Sequence, residues 1–120
     1  MAFIADTVFD NGLTTLDTNG TRLDICSTEP TTYAEATSTL TLGNDTVNTG
    51  APTNGAVDGR RVIVPAITSG TVTGTGTAAF WALTNGSTTL YATGALSASQ
   101  VVTSGNTFSL DAVSITIRDV

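Results

Sequence analysis

Phe80-Trp81-Ala82-Leu83-Thr84-Asn85-Gly86-Ser87-Thr88-Thr89-Leu90-Tyr91-Ala92 is the stretch on which the fold turns. Two short runs rich in apolar, aromatic and β-branched residues flank Asn85-Gly86, the dipeptide preferred in two-residue type I′ hairpin turns. Such a turn sets Thr84 opposite Ser87, Leu83 opposite Thr88 and Trp81 opposite Leu90. Successive strand residues point to opposite faces, so Phe80 and Trp81 divide between the two sides of a sheet. One is expected in the core. The other is expected either covered by the N-terminal helix or used at an interface, because large aromatics serve both purposes.

Strand patterns continue on either side. Thr71-Val72-Thr73-Gly74-Thr75-Gly76-Thr77 puts every Thr on one face and Val72 with the glycines on the other, where another backbone can come close. Arg61–Ile67 reads as a strand, with Val62-Ile63-Val64 buried on both faces or lying at an edge near Pro65. Ser104-Gly105-Asn106 is a turn between Val101-Val102 and the pair Phe108 and Leu110. The last run alternates strictly, with Val113, Ile115 and Ile117 inward and Ser114, Thr116 and Arg118 outward. It predicts an inner strand that ties this end of the chain into a sheet.

The first half is less regular. Phe9, Leu13 and Leu16 share one face at helical spacing, and Ile4 and Val8 are spaced i, i+4, which predicts a helix over residues 3–17. Asp6 and Asp10 fall toward the other face near the helix start, where the dipole favours acids. Asp17-Thr18-Asn19-Gly20 stops the helix. Arg22–Ser27 reads as a short strand, broken after Ser27 by the Pro30 turn. Residues 33–41 have no clean period, and residues 43–59, built of Asn, Asp, Thr, Gly and Pro, predict a long loop of the kind used for interactions. The whole is a single domain over residues 1–120, mainly β. It is expected to be one β-sandwich or jelly-roll-like domain with a short N-terminal α-helix: helix and turn over 1–20, loop over 43–59, β-rich half over 60–120.

Composition narrows the partners. Of the 120 residues, 40% are hydrophobic but only 12% charged, about half the usual quarter, with Thr, Ser, Asn and Gly making up the difference. There is no Lys; Arg22, Arg60, Arg61 and Arg118 are the only bases, and the net charge is −6. Nucleic-acid binding needs Lys and Arg to displace phosphate counterions, so DNA and RNA are excluded as partners, and anionic membrane surfaces are disfavoured. The N-terminus has no basic region and no long apolar stretch, and no apolar run approaches the ~20 residues of a membrane helix. The chain therefore reads as a soluble protein made in a reducing cytoplasm. Its one cysteine, Cys26, can form no intramolecular disulfide and reads as a buried structural thiol.

The tests for chemistry come back empty. With no His and no Lys, the usual nucleophile–base pairs, Schiff-base lysines and most catalytic metal sites are out of reach. Gly74-Thr75-Gly76-Thr77-Ala78-Ala79 matches G-x-G-x-x-A, but a hairpin arm follows it where a dinucleotide site needs a helix, and no acid lies between Asp58 and Asp111. Asp17–Asp24 hints at a calcium loop, yet Arg22 and Thr28 occupy the positions that need Gly and Glu. A helix-to-strand turn explains these residues; an irregular Ca²⁺ site through Asp17, Asn19 and Asp24 is the alternative. No carboxylate pair looks poised for glycoside hydrolysis. The expected catalytic, cofactor and metal residues are therefore none, and the candidate interface residues are Arg60 and Arg61, read either as an anchor for an acidic partner or as a solvated strand start, with Trp81 and Tyr91.

Ser27-Thr28-Glu29-Pro30-Thr31 following a helix and a strand, then Gly94-Ala95-Leu96-Ser97-Ala98-Ser99, Ser104-Gly105-Asn106-Thr107-Phe108 and Ile115-Thr116-Ile117, carry a resemblance. In these the chain resembles the small virion structural proteins of tailed bacteriophages, described variously as head decoration or tail-fibre proteins. The resemblance spans most of the chain, is strongest over residues 70–117, and leaves 41–60 without a family pattern. It implies a bacteriophage structural protein and no catalytic or ligand residue. Together with size and charge it leads to the expectation of a capsid decoration (cement) protein, not an enzyme. Such a protein would be made in the bacterial host and bound to the outer surface of the head. Its partners would be the major capsid protein and further copies of itself, as a homotrimer. The alternative is a tail-fibre, tail-tip or baseplate component touching the host surface. An enzyme, such as a small glycan hydrolase, is the remote third class.

Overall fold

Leu23 and Ile25 point to one side of the first strand, and Asp24 and Cys26 to the other; all four are fully buried. A strand sealed on both faces needs cover on both, and this requirement organises the molecule. The computed structural model describes residues 6–55 and 59–117. It is mainly β, with 51% of residues in strands, and β-sandwich-like as expected. Helix α1 (Asp6–Asn19) leads into β1 (Arg22–Cys26), a single π-helical turn (Glu35–Thr39) and β2 (Thr41–Thr46). There follow β3 (Thr53–Asn54), β4 (Arg60–Val64), β5 (Ile67–Val72), β6 (Gly76–Thr84), β7 (Leu90–Val102), β8 (Thr107–Leu110) and β9 (Val113–Ile117).

Two antiparallel sheets result. A curled six-stranded sheet has the order β7-β6-β1-β2-β5-β8, and a three-stranded sheet has the order β3-β4-β9. The main core lies between them: Leu23, Ile25, Val72, Trp81, Leu83 and Phe108 from the large sheet meet Val64, Val113 and Ile115 from the small one. Each large apolar side chain sealed here contributes roughly 1.5–3 kcal/mol. Phe9 and Leu13 of α1 are also buried, and α1 packs on β4, where Arg60 clasps Asp10. The outer face of the large sheet is closed by a second cluster of Cys26, Ala36 and Ala82 with Phe80, roofed by the π-helical turn. Phe80 and Trp81 thus divide between two faces, and the cover over Phe80 is this turn.

Several expectations change. The Asn85-Gly86 turn is not a two-residue hairpin: Thr84 pairs with Leu90 and Trp81 with Gly94, so the loop spans residues 85–89. Asn85 forces this, because its Oδ1 accepts from the backbone N–H groups of Ser87, Thr88 and Thr89 at 2.8–3.0 Å. The expected loop over 43–59 contains the last four residues of β2 and the short β3, and its residues 56–58 lie outside the described residues. Thr71–Thr77 is not one strand: β5 ends at Val72, and residues 73–75 cross the end of β2, where Thr73 and Gly74 donate to the Leu42 carbonyl. A second backbone does come close at Gly74, where a Cβ would meet the Thr41 carbonyl oxygen at 3.7 Å and Leu42 Cα at 3.8 Å, whereas Gly76 faces the Leu42 side chain. β9 keeps its inward Val113 and Ile115, but among the described residues it is an edge strand paired with β4 alone. Ile63 is 36% exposed between buried Val62 and Val64, so β4 has one wet face. Val8 points outward at 62% exposure. Ile4 and Arg118 lie outside the described residues.

Candidate functional site: the groove between β7 and β8

Among the described residues β7 and β8 are the two edges of the large sheet, joined through the turn at 103–106 but not paired with each other. The β6–β7 ladder is regular from Phe80↔Ala95 to Leu83↔Ala92. It then bows: between Ala78↔Gln100 and Phe80↔Ala95, Ala79 alone faces Leu96-Ser97-Ala98-Ser99. Extra residues on one strand bend it and loosen its pairing. The bow stands away from the β8–β9 corner at Asp111-Ala112, and a groove of about 440 Å³ opens between them. Such a volume lies within the range of about 300–1,000 Å³ typical of small-molecule sites.

The floor is apolar, from Trp81, Leu96 and Val113, and the rim is polar, from Ser97, Gln100 and Asp111. Gln100 Nε2 donates to the Ser109 carbonyl at 2.9 Å, which ties β7 to β8 across the seam. Among the described residues no cation lines the groove, and Asp111 is its one ionisable group. Trp81 is 8% exposed. Its indole is seated by Gly94, where a Cβ would come within 2.7 Å of Cε2, Cζ2 and Nε1. Among the described residues the indole N–H has no acceptor, it is not among the sealed polar atoms, and Trp81 is one of the residues that line the groove.

The candidate interface residues do not converge. Arg60 binds Asp10 through two nitrogens at 2.7 and 3.2 Å and Asn54 Oδ1 at 2.7 Å, so it ties β4 to α1 and β3 within the chain. Arg61 is partly buried on the other face of β4, and its Nε has no partner among the described residues. Tyr91 is half-buried on β7 and does not line the groove. Trp81 alone of the four does. Composition and spacing did not point to Gln100 or Asp111; only the register, with Gly94 opposite Trp81, places them.

Two other polar clusters are internal. Asp24, fully buried on β1, takes Arg22 Nε and Nη2 at 2.8 and 3.0 Å and Thr41 Oγ1 at 2.7 Å. Its hydrogen bond to Arg22 holds that guanidinium's pKa up. Asp24 is thus committed to Arg22 and Thr41, not to a calcium site with Asp17 and Asn19. Burial pushes the Cys26 thiol up to about 12, and its Sγ lies 3.7 Å from the Ala36 carbonyl. Glu35 accepts from the N–H and hydroxyl of Thr31, which lowers its pKa. Among the described residues no group of three His, Cys, Asp or Glu side chains could hold a metal, and no helix is long and apolar enough to cross a membrane. No family model, curated protein or solved structure matches the chain.

Proposed function

We propose that this chain is a structural protein of a tailed-bacteriophage virion, a decoration protein that binds the outside of the head and bridges neighbouring capsid subunits as a homotrimer. The observation that carries the reading is the disposition of charge. Arg22 and Arg60 are spent on Asp24 and Asp10. Asp17, Glu29, Glu35, Asp45 and Asp111 have no cationic partner among the described residues. The chain therefore presents an acidic, Thr- and Ser-rich surface, which suits a position away from packaged DNA. Free strand edges at β7, β8 and β9 offer backbone groups for packing against a neighbour. A protein that binds the assembled shell and not its free subunits stabilises the shell by mass action. The test adds purified chain to heads lacking it. Saturable binding at lattice stoichiometry, with a higher disruption temperature, supports the reading; no binding refutes it.

A second reading, a tail-fibre, tail-tip or baseplate part, is favoured by one feature, the groove over Trp81. Binding of the purified chain to host cells, lost on substitution of groove residues, would support it over the first.

A further inference from the structure

We infer that the groove between β7 and β8 is a binding site for a neutral saccharide. The inference goes beyond the decoration reading and holds wherever in the virion the chain sits. It begins with Trp81. This side chain is more than nine-tenths buried, yet its one polar atom has no acceptor among the described residues and stays open to solvent. An indole N–H that no protein group accepts is free to donate to a ligand. Trp81 lines a groove of about 440 Å³, so a ligand seated there meets this side chain.

The lining selects the class of ligand. A sugar ring offers an apolar C–H face and a rim of hydroxyls that both donate and accept. The floor of Trp81, Leu96 and Val113 suits the first, and Ser97, Gln100 and Asp111 suit the second. Gln100 spends one amide N–H on the Ser109 carbonyl, which leaves its second N–H as a donor and its Oε1 as an acceptor, and the Asp111 carboxylate can accept from two hydroxyls. A ligand bearing phosphate, sulfate or carboxylate would meet Asp111 with no cation among the described lining residues to offset it, so anionic ligands are disfavoured. A fully apolar ligand would leave Asp111, Gln100 and the indole N–H unpaired, which costs affinity. The Gln100–Ser109 bond ties the two sides of the groove together before any ligand arrives, which lowers the cost of ordering on binding.

Trp81 is the only tryptophan in the chain, so its emission reports occupancy directly. The experiment titrates the full chain with neutral disaccharides (maltose, cellobiose, lactose and chitobiose), with glucuronic acid and an extended apolar hexapeptide as comparisons. At least one neutral disaccharide is expected to shift the emission saturably in the millimolar range. Asp111→Asn, at an exposed position that leaves the core intact, is expected to weaken it about tenfold. Trp81→Phe, followed by NMR of the Gln100 side-chain amide, checks the N–H separately and is expected to weaken binding while the fold persists. No saturable shift with any neutral saccharide overturns the inference. So does tighter binding of the acid or the peptide, or binding indifferent to Asp111→Asn. Each of these results leaves the shell-binding test of the decoration reading unaffected.

Discussion

Gly94 stands directly across the β6–β7 ladder from Trp81, and the indole occupies the space a side chain at Gly94 would need. Phe108 repeats the arrangement against Gly70 on the β5–β8 ladder. At each flank of the large sheet an aromatic ring thus covers a cross-strand glycine, which restores packing that glycine forfeits. Gly94→Ala would put a Cβ 2.7 Å from the ring. The indole must shift, at a cost of about 1–3 kcal/mol. Denaturant unfolding followed by Trp81 fluorescence checks both: a lower midpoint and an altered native emission are expected. Unchanged values would mean the ring is not seated as described.

Arg22→Met keeps the apolar stem and removes the charge that faces Asp24. The Asp24 carboxylate would stay buried with Thr41 as its remaining side-chain donor. Breaking a sealed pair costs about 3–5 kcal/mol, and the 31% exposure of Arg22 moves the expectation to the low end. Replacing both residues with apolar ones is expected to recover part of the loss. The thermal midpoints of the single and double variants give the comparison.

Cys26 makes stability fall in alkali. Its thiol is raised to about 12 in the fold, whereas an unfolded thiol ionises near about 8.5. The unfolded chain therefore gives up its proton first as pH rises. The stabilisation is complete below the unfolded value and declines through the window up to the folded one, by at most about 1.4 kcal/mol per pH unit. Cys26→Ala is expected to flatten this slope while lowering stability overall through the cavity it leaves. Maleimide labelling of the native protein should be slow and should accelerate with denaturant.

Asn85→Ala removes the acceptor shared by three backbone N–H groups in the 85–89 loop. The loop is exposed, so water replaces part of what is lost and the expected cost is about 1 kcal/mol. Asn85→Asp, which keeps the oxygen, should retain most of the stability. Equal losses in both variants would contradict the role given to Oδ1.

The apolar run at 62–64, the period-two run at 113–117 and the helical spacing of Phe9, Leu13 and Leu16 made the β class, the N-terminal helix and much of the core legible in the sequence. Register was not. Asn85-Gly86 fits a tight turn locally, but the Asn85 side chain organises a longer loop, and this shifts every partner of Trp81. The face assigned to β1 was hidden for a similar reason: the π-helical turn that roofs Asp24 and Cys26 has no apolar period of its own. The groove was the least legible feature, because it arises from the bow at 96–99 and from long-range proximity of β7 to the β8–β9 corner. Trp81 could be singled out by its type, whereas Gln100 and Asp111 look like ordinary surface residues until the seam brings them together.

The most direct measurement of the central claim is a count of this chain in purified virions produced by the genome that encodes it, by quantitative mass spectrometry against the major capsid protein. A decoration protein is predicted to be present in hundreds of copies, in a fixed ratio to the capsid lattice. A handful of copies per particle, or none, would contradict it.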